Sequence, residues 1–347
     1  MKKFLILIII NLFLIKESLA NEIVYNTSFY NIDINNEIIS DAKIREINNI
    51  KIISINSILD KILTVKNKNN FLKAININDE LNYLIKNIII NDEFISKKKY
   101  KASIKVNFKY KALVKLLQNN KINYTDISSE KFLIIASEEN KITAHGLSKN
   151  NSLYKSINKN QYGLINFFKP DLSTNDRFIM PFEKIKLKDI NSLTKIANKY
   201  NTKKIFIILS KLENEIFYLD IDLYSVDNSQ FYNLGLLKIK NYKTIELELY
   251  SFLNNWWKIK NQVNNSIENN ITCLIKNNNI EELYTINSII NSISQIKLNN
   301  VEKINFGNNI QKITFFGNLK NLSEKLILES VYLKIKSNNE CQISLIK

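Results

Sequence analysis

The chain has 347 residues, 45% of them apolar and 24% charged, and a formal charge of +16. That length exceeds a usual single domain, and the balance of apolar and charged residues excludes a disordered or fibrous chain. Five scattered glycines (Gly146, Gly163, Gly235, Gly307, Gly317) form no phosphate-binding loop, and one histidine with two cysteines is too few for a four-ligand zinc site.

The first twenty residues carry a positive start, Lys2 and Lys3, an apolar run from Phe4 to Ile15 broken by Asn11, and small residues at Ser18-Leu19-Ala20. This is the layout of a secretory signal peptide cleaved near Ala20. A retained anchor is the alternative, but such a run rises only about 18 Å as a helix against a bilayer core of about 30 Å. No second apolar span and no lipid-acceptor cysteine follows, so the expected product is a released periplasmic protein. Without those residues the charge is still +14. Only Arg45 and Arg177 are arginine, whereas nucleic-acid readers favour the guanidinium fork. Neither Lys97–Tyr100 nor Tyr124–Ser129 spaces its aromatics for base stacking. Lysine, asparagine and isoleucine dominate even loop-like stretches such as Lys66–Asn70 and Lys276–Asn279, a sign of compositional drift. Nucleic acid is not expected as a partner; another envelope protein or an anionic envelope polymer is.

Residues 21–124 read as a first α+β domain. Alternation from Glu22 to Asn35 favours a strand, and Asp41 is placed to cap a helix carrying Ile44, Ile47, Ile50, Ile55, Ile58 and Ile62. A second helix starts at Asn78, strands follow at Ile88–Ile95 and Tyr100–Phe108, and a short helix carries Leu113 and Leu117. Residues 125–240 read as a middle α/β domain. It opens with a strand at Phe132–Ala136, has a helix over Leu153–Phe168 and another over Asp189–Tyr200 with Asn201 as a left-handed C-cap, and a buried strand at Ile205–Leu209. Ile216–Val226 sets Phe217, Leu219, Ile221 and Leu223 against Tyr218, Asp220, Asp222 and Tyr224, the pattern of a half-buried antiparallel strand. Residues 241–347 begin with a helix over Thr244–Val263 and continue with strand Ile271–Ile275, helix Ile280–Ile293, strands Val301–Phe306 and Ile310–Phe316, helix Leu319–Leu328, and strands Val331–Ile335 and Gln342–Ile346. That order is a ferredoxin-like βαββαβ unit with one strand to spare, with Gly307-Asn308-Asn309 as a hairpin turn and Asn318 as an N-cap. The fold class is thus α+β, three small α/β modules in series.

Candidate chemistry is sparse. His145 stands in a polar stretch without a nucleophile motif around it. Asp220 and Asp222 share a strand face and could form a carboxylate pair for acid/base work on an envelope polymer, although solvent-facing alternation is the better account of them. Trp256 and Trp257 are either interface anchors or plugs fixing a helix to its core. Cys273 and Cys341 fall on the first and last strands of the final module, where a disulfide requires Cα atoms within about 7 Å. No catalytic, cofactor or metal residues are assigned.

The run Met180–Leu209 (MPFEKIKLKDINSLTKIANKYNTKKIFIIL), with Tyr100–Leu117 and the ending Ile313–Leu345, resembles the exported bacterial family known as domain of unknown function 2066. Asn201 and Thr202 depart from the small residues usual at that corner. The resemblance implies an exported envelope protein and supplies no catalytic residues. The expectation is a periplasmic, non-enzymatic binding or scaffolding protein; the alternative is a hydrolase using Asp220 and Asp222.

Overall fold

The computed structural model describes residues 24–157, 163–305, 307–337 and 339–346. The signal-peptide reading of Met1–Ala20 lies outside them. The fold is mixed α+β with three sheets. The chain separates into two compact units: one runs to Ile127 and resumes at Asn261, the other spans Ser128–Lys260. The first and third sheets therefore share a unit.

In the first unit, β1 (Tyr30–Asn35) starts later than the alternation from Glu22 predicts, because Val24 and Tyr25 form a helical turn and are buried there. Helix α1 (Ile39–Ile62) is preceded by Ile38 as N-cap; Asp41 instead lies in the first turn, where a carboxylate meets the positive end of the helix. Its buried stripe of Ile55, Ile58, Leu59 and Ile62 faces the sheet core. Lys66–Asn70, read as a loop, belongs to α2 (Val65–Ala74): the Thr64 hydroxyl accepts from the Asn67 amide at 3.3 Å and Phe71 is buried. Helix α3 (Ile77–Leu84) follows, capped by Asn76. β2 (Ile85–Ile95) and β3 (Lys99–Phe108) complete an antiparallel sheet in the order β1-β3-β2, with Tyr100, Ala102, Ile104, Val106 and Phe108 pointing inward. Helix α4 (Tyr110–Asn119) ends this part.

The second unit starts with β4 (Lys131–Glu139) and the two-residue β5 (Ala144–His145). The helix expected over Leu153–Phe168 is only α5 (Ser152–Ser156), after which Asn166–Phe168 forms β6, parallel to β4. The break is reinforced by Gly163, where an added Cβ would run into Asn254; that amide's Oδ1 accepts from the Leu164 and Ile165 N–H groups at 3.1 and 3.2 Å. Helices α6 (Thr174–Ile179), α7 (Phe182–Lys186) and α8 (Ile190–Lys199) carry the chain across to β7 (Lys204–Glu213), parallel to β4. Asp189 is the N-cap of α8, accepting from Ser192 N at 2.9 Å, and Asn201 is left-handed at φ 48°, as expected for the C-terminal end. β8 (Ile216–Ser225) and β9 (Gln230–Ile239) extend β7 as an antiparallel meander, giving β5-β4-β7-β8-β9. Helix α9 (Ile245–Asn261) follows.

The final module returns to the first unit: β10 (Glu268–Lys276), α10 (Ile280–Ser292), β11 (Ile296–Lys303), β12 (Asn308–Phe316), α11 (Leu319–Leu328), β13 (Val331–Ser337) and β14 (Glu340–Leu345). β11 begins at Ile296, ahead of the expected Val301, and two register shifts against β12 remove the alternation that would have marked it. The sheet order is β11-β12-β10-β14-β13. The spare strand is thus internal: β14 runs parallel to β10 and antiparallel to β13, separating the two that a four-stranded unit would pair. Ile271, Ile275, Ile313 and Ile343 form one core with Ile286, Ile290, Leu322 and Leu326 of the helices.

Candidate functional site

Three sheets present edge strands, and their composition decides which is open to a partner. An unpaired edge offers a row of main-chain donors and acceptors, which proteins commonly blunt with charges, bulges or shortness. β1 is short, six residues, and carries Asp33. β2 carries Lys86, Asp92 and Glu93 and slips register twice against β3. β11 carries Lys297, Glu302 and Lys303 with two register shifts, and β13 carries Lys334 and Lys336 with one. On the second unit's sheet, the β5 and β6 edge is only two and three residues long. β9 differs: ten residues, QFYNLGLLKI, with Lys238 as the single charge. Its inner side pairs with β8 from Gln230 to Ile239, and it is the outermost strand.

The surface beside that edge is built by β8. Asp220 and Asp222 share a face, as their spacing predicts, but the face is not uniformly open. Asp222 is buried and ion-paired with Lys188, and the Asn233 amide of β9 donates to both carboxylates, at 3.3 Å to Asp220 and 3.1 Å to Asp222. Tyr224, expected outside, is fully buried: its hydroxyl lies 3.2 Å from the Thr194 hydroxyl on α8, and its ring packs on Phe231 with centroids 4.9 Å apart. The Ser192 hydroxyl and amide hold the Asp189 cap of α8 below the usual carboxylate range, keeping that cap charged at neutral pH. Away from this cover, Tyr232 and Leu236 are 44% and 55% exposed. At Gly235, φ is +119°, and the register shifts between Ile221 and Asp222. The bulge turns the alternation of β9 over at its middle, which is why periodicity alone did not mark this strand.

The other candidate residues lie elsewhere. His145 is half-buried on the short β5, where its carbonyl is 3.5 Å from the Asn151 amide. Trp256 and Trp257 pack edge-on against Phe132, centroids 6.4 and 6.0 Å away, so both help fix α9 to the middle sheet. Cys273 and Cys341 are direct register partners on β10 and β14, with Cα atoms 4.4 Å apart, and are joined as a disulfide inside the final module's core. Among the described residues, no three histidine, cysteine or acidic side chains gather as a metal site. Among them, too, no helix is long and apolar enough to cross a membrane.

No protein-family profile matches the chain, and no curated protein does. Among solved structures, it is similar to the LpoB C-terminal domain from Salmonella enterica, at 13% identity, over 38% of this chain and 95% of that one, with a TM-score of 0.23.

Proposed function

We propose that the protein is an exported, envelope-associated binding or scaffolding protein that receives an extended segment of a partner protein along β9. The observation that carries this reading is the contrast between β9, ten residues with a single charge, and the edges elsewhere, which are short or carry two or more charges. Main-chain hydrogen bonds from β9 supply affinity, and the exposed Tyr232 and Leu236 supply side-chain selectivity. Export rests on the pattern of Met1–Ala20, and membership of the exported family rests on the resemblance of Met180–Leu209. The charges on β11 and β13 make the terminal module's edges less suited to a partner strand than β9 of the middle unit.

A hydrolase working through Asp220 and Asp222 has less support. A carboxylate that is buried, paired with Lys188 and bonded to Asn233 is committed to holding β8, β9 and the loop before α8 together. Photo-crosslinkers placed at Phe231 and Leu236, with Tyr332 and Ile335 of β13 as controls, test the strand-addition reading.

A further inference from the structure

Side-chain facing on β9 reverses at its middle. Phe231 packs on Tyr224, Asn233 donates to Asp222, Leu236 is the register partner of Asp220, and the Lys238 ammonium lies 5.5 Å from the Tyr218 ring centre. Tyr218, Asp220, Asp222 and Tyr224 alternate along β8 and so share one face. Phe231, Asn233, Leu236 and Lys238 therefore share it too, at odd positions before Gly235 and even positions after it. β8 meets this with a register shift, and Leu234 is left without a partner on that strand.

Two copies of a strand that pair antiparallel in one sheet are related by a two-fold axis normal to the sheet, which returns every side chain to its own face. In an unbulged strand that axis must pass through a residue, which then meets its twin. In β9 it passes between Leu234 and Gly235, and all ten residues find partners: Phe231 with Lys238, Tyr232 with Leu237, Asn233 with Leu236, Leu234 with Gly235, and Gln230 with Ile239. The faces match at each pair on either side of the bulge, and the extra residue that β8 leaves unpaired meets its counterpart in the second copy. Charge agrees as well. Lys238, the one charge on each strand, falls opposite the exposed Phe231 ring of the other copy and about 20 Å along the strand from the other Lys238.

From this pattern we infer that β9 pairs with β9 of a second copy of this chain, joining two middle-unit sheets across a two-fold axis. The inference rests on the strand-addition reading and names its partner. The test is sedimentation of the full mature chain together with cysteine trapping. The parent protein should sediment as a dimer. Tyr232→Cys combined with Leu237→Cys should give a disulfide-linked dimer on mild oxidation, and neither single variant should, because each cysteine then lies about 16 Å from its twin. Cys273 and Cys341 are already joined to each other and do not compete. Phe231→Lys, which sets like charges opposite each other, should weaken dimerisation at least tenfold, and adding Lys238→Glu should restore it. A chain that stays monomeric while β9 crosslinks to a protein of another mass would overturn self-pairing and leave strand addition standing; a monomer with no β9 adduct would overturn both. A dimer trapped by a single variant, or not trapped by the double one, would put the contact elsewhere and overturn the inference.

Discussion

Lys325 of α11 is ion-paired with Asp126, 199 residues earlier in the chain, where both side chains are closed off from water. The pair is fully dressed. Tyr25 donates to the other Asp126 oxygen at 3.1 Å, Lys325 donates to the Ser294 hydroxyl at 2.9 Å, and its ammonium lies 5.5 Å from the Tyr124 ring centre. Burial and then the Asp126 charge push the Tyr25 hydroxyl well above its ordinary range, so it remains a donor.

Removing one partner of such a pair strands a buried charge, which costs about 3–5 kcal/mol, whereas removing both charges is often close to neutral. Lys325→Met should therefore lower the unfolding free energy of the first unit by about 3 kcal/mol. Adding Asp126→Asn, which keeps an acceptor for Tyr25, should restore more than half of that. Urea titration of both variants decides it; a single variant within about 0.5 kcal/mol of the parent would show that the pair is not shielded as described.

The second unit has its own acid-sensitive joint. Asp176 is fully buried and completes a capping box with Ser173. Burial alone pushes its carboxyl up, but hydrogen bonds from Lys199, the Ser173 backbone and Tyr200 outweigh that and hold it below the usual range. A depressed folded-state value stabilises the protein above the unfolded carboxyl value of about 4, and the contribution is lost as pH falls through the folded value. Asp176→Asn should cost about 2 kcal/mol at pH 7 and progressively less below about pH 4. A stability difference independent of pH across that window would contradict the assignment.

The disulfide makes a chemical prediction. Cys273 and Cys341 close a loop of 68 residues, for which the chain-entropy account gives about 4 kcal/mol. Protein purified from its exported form should show no free thiol until it is unfolded and reduced, and then two. Replacing both cysteines with serine should lower stability by several kcal/mol, about 4 on that account. Two reactive thiols in the native exported protein would refute the bond.

What the chain discloses by itself depends on how regular each segment is. Leu283, Ile286, Ile290 and Ile293 repeat at helical spacing and mark α10 almost to the residue. Asp189 and Asn201 mark the ends of α8 through their own side-chain and backbone chemistry. α2 escaped because VKNKNNFLKA buries only Phe71, too little for a periodic signal. β9 escaped because the bulge at Gly235 breaks its alternation, and with it this long, nearly uncharged edge stayed hidden. The internal place of β14 was not legible either: sheet order is decided by pairing across the fold, and neither Val331 nor Gln342 carries a local mark of its neighbour.

The measurement closest to the central claim is site-specific photo-crosslinking in intact cell envelopes, with the probe at Phe231 or Leu236 of β9 and, as controls, at Tyr332 or Ile335 of β13. Strand addition at β9 predicts one discrete protein adduct from the β9 positions, the adduct from Phe231 being lost when Leu236→Pro removes a main-chain donor from that strand, and no adduct from β13. Adducts of equal yield from both edges, or none from β9, would contradict it.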